Sequence, residues 1–368
     1  MRDSGHIPGY RVVIITMDAH AAGPAARVSD KLANDYPGLM VEIHAAAEWA
    51  ETPESLDRAR EAIANADIII ANLLFIEEHI RAVLPDLQAR RPHCDAMIGV
   101  IADRQIVELT KMGDLDMSKP ASGLMKVLKK LRGDKKPSAD SGQKQMKMLR
   151  RLPKILKYFP GKAQDLRAWF LTMQYWLGGS DDNVEAMMRF LLGRYADPAK
   201  IAPAGVKAAA PIEYPDVGLY HPRLKGRITT NINDLPKVKK PTATVGILMM
   251  RSYVLASDCG HYDTVIEALE AKGLRVLPAF AGGLDGRPAI DRFFKNESVD
   301  LVLSLTGFSL VGGPAYNDSL AAVETLSKLD VPYICAQPLE FQTLRQWSES
   351  EQGLGPIEAT MLVALPEI

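Results

Sequence analysis

Apolar runs of strand length alternate with helix-length stretches from the first dozen residues onward. Arg11-Val-Val-Ile-Ile-Thr-Met17 is β-branched and unbroken, the pattern of a strand buried on both faces. Further apolar runs at 39–43, 67–74 and 96–101 are separated by helical stretches at 25–34, from Thr52-Pro53 onward, and at 77–90. At the second of these, Thr52 stands as N-cap and Pro53 as first helical residue. This β-α order predicts a parallel sheet with right-handed crossovers. The same rhythm restarts later, with strands at 244–250, 275–279, 300–305 and 333–336 and helices at 258–271, 289–296 and 316–328.

The pattern between the two rhythmic stretches differs. Residues 119–162 are crowded with Lys and Arg, and 133–142 have the Gly, Pro and Ser content of a loop. Two amphipathic helices follow, one presenting Leu166, Trp169, Phe170, Met173, Trp176 and Leu177, the other Val184, Met187, Met188, Leu191, Leu192 and Tyr195. Gly178-Gly179 ends the first, and Ser180 or Asp181 can cap the second, so they read as an α-hairpin. Residues 197–241 are rich in Pro and Gly and read as an extended connection. The expectation is an α/β protein of two flavodoxin- or Rossmann-like parallel-sheet units, joined by a helical basic segment and an extended linker. Its divisions are 1–115, 116–196, 197–241 and 242–368, the last cut short at its C-terminal end.

Composition narrows the function classes. The 368 residues are 47% hydrophobic and 24% charged with a net charge of −1, enough for sizeable cores and no global pull toward nucleic acid or an anionic membrane. No apolar run approaches the roughly 20 residues of a spanning helix, and the start lacks a secretory signal. Cys94, Cys259 and Cys335 are far apart and form no CxxC pair, so neither a disulfide framework nor a zinc knuckle is expected. A reduced, cytoplasmic protein without a bound metal is the expectation.

Ligands of doubly wound sheets sit at the carboxyl ends of the strands. In the first half this singles out Asp18 and His20, a carboxylate and an imidazole that could share a pocket or simply cap the next helix, with Asn72 and Glu77–His79 near the third strand. The second half offers Arg251, Asp258 and His261, running from a strand into a helix start that could hold a carboxylate or phosphate. For His261 on the first helical turn, a surface residue is a plainer reading than a ligand. The run Ser304-Leu-Thr-Gly-Phe-Ser-Leu-Val-Gly-Gly-Pro314 contains Gly307, Gly312 and Gly313 and suits close backbone approach to a flat apolar ligand, or a sharp turn. It fits neither GxGxxG nor GxxxxGK[ST], so no dinucleotide or ATP site follows. Lys126, Lys129 and Lys130 are solvated surface or a docking patch for an acidic partner.

Several segments resemble one family in consistent order: Val13-Ile-Ile-Thr-Met-Asp-Ala-His20, Ala71-Asn-Leu-Leu-Phe-Ile76, Tyr175-Trp-Leu-Gly-Gly-Ser180 with Asn183, Gly246-Ile-Leu-Met-Met-Arg251, Leu274-Arg-Val-Leu-Pro-Ala-Phe280, Phe341-Gln342 and Gly353-Leu-Gly-Pro356. Together they resemble the large, porphyrin-binding component of magnesium chelatases (the H subunit), bacterial type. The large subunit of cobaltochelatase is similar mainly after about Tyr175. The resemblance implies Mg²⁺ insertion into protoporphyrin IX for (bacterio)chlorophyll, with ATP bound by separate AAA+ partner subunits. It also implies an N-terminal part of a much longer protein, inactive on its own, to which no catalytic residue carries over. A cobaltochelatase fragment and a non-enzymatic pair of ligand- or protein-binding modules are the alternatives.

Overall fold

The computed structural model describes residues 9–17, 22–49, 52–119, 151–202, 205–313, 316–337, 342–355, 358–359 and 362. Among these, one compact unit runs to Glu213 and a second begins at Tyr214.

In the first unit the apolar runs become β1 (Tyr10–Thr16), β2 (Leu39–Ala45), β3 (Ile68–Asn72) and β4 (Ala96–Val100). They form a sheet in the order β2-β1-β3-β4, all neighbours parallel. Helices α1 (Ala22–Ala33), α2 (Pro53–Asn65) and α3 (Glu77–Arg90) make the crossovers. Alternation along β1 sends Val12 and Ile14 to one core and Val13 and Ile15 to another, so both faces are covered. Beyond β4 the chain makes α4 (Arg104–Glu108) and an antiparallel ribbon, β5 (Lys111–Met112) and β6 (Leu115–Asp116), that extends the sheet. Gly99 permits the close approach of α4, since a Cβ there would stand 2.4 Å from the Ile106 carbonyl oxygen.

The predicted α-hairpin is α5 (Lys162–Gly178) and α6 (Asp181–Tyr195). Gly179 takes a left-handed φ of 58° at the C-cap of α5, and the Ser180 hydroxyl accepts the Asn183 N–H at the start of α6. Both helices pack on the face that carries α1, and their stripe joins the core of Val12, Ile14 and Ile70. Three ion pairs tie α1 and the turn after it to α6 in one register: Arg27 binds Asp181 through two 2.7 Å bonds, Lys31 binds Glu185, and Asp35 of the turn accepts from Arg189 at 2.6 Å. Arg189 also donates to Glu185 at 2.8 Å, and its side chain is only 7% exposed. A second polar node is buried Asp165, which accepts from the Asp114 N–H in the β5–β6 turn and from Arg194 and Tyr195.

The second unit repeats the plan. Strands β9 (Thr244–Met250), β10 (Arg275–Ala281), β11 (Leu301–Ser304) and β14 (Tyr333–Cys335) are parallel in the order β10-β9-β11-β14, the same 2-1-3-4 arrangement. The residues before them that read as a bare connection carry β7 (Val217–Tyr220) and β8 (Ile228–Thr229), which add to the β10 edge in antiparallel fashion. Four- and two-residue strands among Pro and Gly are too short to show a period. The crossovers include α7 (Arg251–Ala256), α8 (Gly260–Ala271) and α10 (Ser319–Leu329), with α9 the helix at 287–297, widened to π geometry over Ile290–Phe294. That bulge seats the Phe294 ring on Gly246 of β9, where a Cβ would stand 2.8 Å from it. Finally, Thr343 caps the short α11 (Leu344–Glu349) with a reciprocal bond to Gln346.

Two predictions concern these ion networks. Arg189→Ala leaves Glu185 half-paired in a nearly closed site and should lower the urea-unfolding free energy of the first unit by about 3 kcal/mol. In the second unit, His221 is 1% exposed; its Nδ1 accepts the Arg223 N–H, so Nε2 carries the proton toward Glu270 at 3.2 Å. Burial lowers its pKa, and Glu270 only partly opposes this. The unfolded chain therefore takes up that proton first. Stability from neutral His221 is complete above its ordinary value of about 6.5 and is lost as pH falls through the lower folded value. His221→Gln should reduce the acid-side slope in denaturant midpoints measured between about pH 5 and 7.

Candidate functional site

Parallel strands buried on both faces leave room for chemistry only where they end. In the 2-1-3-4 order, crossovers leave in opposite directions from the two central strands, and a crevice opens between their carboxyl ends. In the second unit that place lies between β9 and β11. Here a shallow cleft is lined by Leu248 to Met250 of β9, Ala281 and Gly283 to Gly286 at and after the end of β10, and Ser304, Thr306 and Phe308 to Leu310 at and after the end of β11. Its enclosed volume is only about 20 Å³, room for a water-sized group, so a larger ligand would meet its open rim.

The two loops that form it are locked together. The Gly286 N–H donates to the Leu310 carbonyl at 2.8 Å, the Gly312 N–H to the Leu284 carbonyl at 2.9 Å, and Asp285 bridges Val311 as an isolated β-pair. Gly286 has no room for a side chain, since a Cβ would stand 2.9 Å from Leu310 Cδ1. Gly307 turns the second loop with a φ of 71°. Hydroxyls gather on one wall: Ser304 lies 3.1 Å from Thr306, which also bonds the backbone of Phe308. Across from them Asp285 holds Arg287 through bonds of 2.7 and 2.9 Å. An apolar floor with hydroxyls and one carboxylate at the rim suits the edge of a mostly apolar ligand with polar substituents.

The candidate residues named from the sequence are distributed as follows. Arg251 turns away from the cleft that the preceding Met249 and Met250 line, and donates to the carbonyls of Pro215 and Tyr214 at 2.9 and 3.1 Å. The helix start expected at Asp258 falls two residues later, with Cys259 in the N-cap position and no side-chain cap. Asp258 is exposed there, and His261 packs its ring against Tyr253 and Tyr262. Neither lines the cleft. Gly307, Gly312 and Gly313 shape the loop, the last two as the short strand β12 paired with Tyr316–Asn317 (β13). Asp18, His20, Lys126, Lys129 and Lys130 lie outside the described residues. The loop Gly283-Leu-Asp-Gly286 is a wall that the sequence reading misses, although two glycines and an acid directly after a strand are the signal that could have found it.

Cysteine chemistry does not add to the site. Burial pushes the Cys259 thiol up to about 11 and raises those of Cys94 and Cys335, so all three favour the neutral, unreactive thiol. Among the described residues, no group of three His, Cys, Asp or Glu side chains is placed to hold a metal ion, and no helix is long and apolar enough to cross a membrane.

Comparison with known proteins gives a consistent set of relatives. The family described as CobN/Magnesium Chelatase matches residues 173–368, and a domain of unknown function, DUF3479, matches 11–170. The chain is 67% identical over 364 residues to the magnesium-chelatase H subunit of Cereibacter sphaeroides, covering 98% of this chain and 30% of that protein. It is 64% identical to the corresponding protein of Rhodobacter capsulatus, covering 99% of this chain and again 30% of the relative. The aerobic cobaltochelatase subunit CobN of a Sinorhizobium species is 26% identical over 53% of this chain and 15% of its own length. Among solved structures, the catalytic subunit of cobaltochelatase from Mycobacterium tuberculosis matches with a TM-score of 0.50 at 17% identity, over 98% of this chain and 24% of that one. This chain thus spans under a third of the length of these two curated magnesium-chelatase relatives.

The interlocked loops make a direct prediction. Gly286→Val forces Leu310 and Leu248 aside and should cost about 1–3 kcal/mol of second-unit stability in urea unfolding.

Proposed function

Because this chain belongs to the CobN/Magnesium Chelatase family, we propose that it serves as the N-terminal part of a magnesium-chelatase H subunit. In this reading the whole subunit binds protoporphyrin IX and takes part in ATP-dependent Mg²⁺ insertion for bacteriochlorophyll synthesis. The observation that carries the reading is identity of 64–67% to two magnesium-chelatase H subunits along nearly the entire chain, where the cobaltochelatase relative reaches only half of it. The ATP is hydrolysed by separate AAA+ partners, Lys126, Lys129 and Lys130 form a docking patch for them, and the complex works in the cytoplasm.

The chemistry indicates what this part contributes. Inserting Mg²⁺ requires removal of two pyrrole protons, distortion of a rigid ring and dehydration of an ion that gives up water reluctantly. That work calls for bases converging on both faces of an enclosed apolar pocket. The second-unit cleft has hydroxyls and one carboxylate at a small opening, a set suited to holding a ring edge or its substituents rather than to taking protons from the ring centre. We assign it a positioning role, with the proton- and metal-handling groups on the remainder of the subunit.

The fold likeness to a cobaltochelatase subunit supports a second reading, the equivalent part of a cobalt enzyme. Metal choice separates the two: the full-length subunit with its ATPase partners should insert Mg²⁺ into protoporphyrin IX and not Co²⁺ into a corrin precursor. Filling the cleft by Thr306→Trp in that subunit should weaken protoporphyrin IX binding, followed by fluorescence quenching, by about tenfold or more. The 368-residue chain alone, given partners and ATP, should insert no Mg²⁺; turnover at the full subunit's rate would overturn the division of labour.

A further inference from the structure

The apolar face of a sheet must be covered, and the two units differ in how far theirs is. In each, a crossover helix joins the first parallel strand to the second, α1 in one unit and α8 in the other. Their common handedness puts both on the same side of the sheet. On that side the first unit is closed. Val12 and Ile14 of β1, Ile68 and Ile70 of β3, and Ala96 and Ile98 of β4 stand in register, and each is at most 1% exposed. Here α1 lies against β2 while α5 reaches β4, and the hairpin's Leu166, Met187 and Leu191 join the same core.

The second unit has the matching strands without that second cover. Among the described residues, the helices that contribute to the core on this side are α7 and α8, lying against β9 and β10. Val245 and Ile247 of β9 are 2% and 0% exposed. Their in-register neighbours on β11, Leu301 and Leu303, are only partly buried. Ile334 of β14, paired with Leu303, is 50% exposed. Exposure thus climbs along one row, Ile247, Leu303, Ile334, from none to half. The opposite face is served: Tyr333 packs there with Val302 and with Ala322 of α10. The shortfall is on the α8 side alone.

We propose that the α8-side face of β11 and β14 is a docking surface for an amphipathic helical segment from the part of the polypeptide that follows residue 368, which rests on the reading of this chain as the first part of a longer H subunit. The stripe of that segment lies on Leu301, Leu303 and Ile334 as the α5–α6 stripe lies on Ile68, Ile70 and Ile98. Two observations favour this occupant. In the first unit the cover is helical and follows the sheet in the same chain. The two magnesium-chelatase relatives are matched over only 30% of their length, which leaves most of each polypeptide to supply it.

Thiol accessibility tests the assignment. Ile334→Cys, in a Cys335→Ser background, is labelled with a maleimide in the full-length subunit and in the 368-residue chain, each compared with the same protein in urea. Labelling should be about tenfold slower in the full-length subunit, because the thiol reacts only when the covering helix opens. Equal rates in the two folded proteins overturn the proposal. Strong protection already present in the 368-residue chain overturns it too: if it grows with concentration the face belongs to a second copy, and if it does not the cover lies within these residues. Should the double variant misfold, Ile334→Asp serves instead. A carboxylate is worse placed on a covered face than on a half-open one, so the drop in melting temperature should be about 2–4 °C larger in the full-length subunit. Equal drops overturn the proposal. Neither readout uses metal or porphyrin, so an inactive subunit counts against the chelatase reading and leaves this surface standing.

Discussion

A parallel strand covered on both faces can carry polar side chains only at its ends. That constraint organises both units. Along β1, β3 and β4 every side chain between Val12 and Ile15, Ile68 and Ala71, and Ala96 and Ile98 is apolar and buried, and the first polar groups come at Thr16 and Asn72. In β9 and β11 the sequence is the same in kind: apolar residues run to Met250 and Leu303, and Ser304 then begins the polar rim. The crossovers that bury the faces also decide where a gap remains, so the candidate sites are a by-product of the layer arrangement. Local sequence then decides what each gap offers. In the first unit it offers a buried hydroxyl–amide pair, Thr16 and Asn72; in the second, hydroxyls and a carboxylate over an apolar floor.

The parts of this arrangement that could be read directly were those governed by long, uninterrupted patterns. The seven-residue strands β1, β2, β9 and β10 and the α-hairpin carry patterns several residues long, and the Gly178-Gly179-Ser180 punctuation marks a C-cap and an N-cap side by side. What escaped was short or relational. Two-residue strands such as β5, β6 and β8 owe their existence to a neighbour's free edge and carry no signal of their own. The cleft's Gly283–Gly286 wall makes sense only once the loop after β11 lies against it. Arg251 reads as an anion ligand in isolation, yet a guanidinium next to the carbonyls of Tyr214 and Pro215 has nearer acceptors to satisfy. The position of α8 shows the same limit. Asp258 has the chemistry of a cap, but the intervening α7, ending at left-handed Ser257, shifts the helix start past it.

The repeated 2-1-3-4 order also explains how two halves without a common motif could have one architecture. Each sheet is extended on one side by a small antiparallel addition, β5–β6 beyond β4 in the first and β7–β8 beyond β10 in the second, so the additions fall on opposite ends of the parallel order. An antiparallel addition needs no covering crossover and tolerates polar residues, which is why Lys111 and Asp116 are acceptable there and would not be in β3.

The ladder between α6 and α1 with the turn after it has signs that reverse along its length: base to acid at Arg27–Asp181 and Lys31–Glu185, then acid to base at Asp35–Arg189. Sliding one helix by a turn in one direction would set Lys31 against Arg189, and in the other would set Asp35 against Glu185. Either slip trades an attraction for a like-charge clash. The ladder therefore works as a key with one tooth cut the opposite way, so that the hairpin can seat on the sheet at a single height.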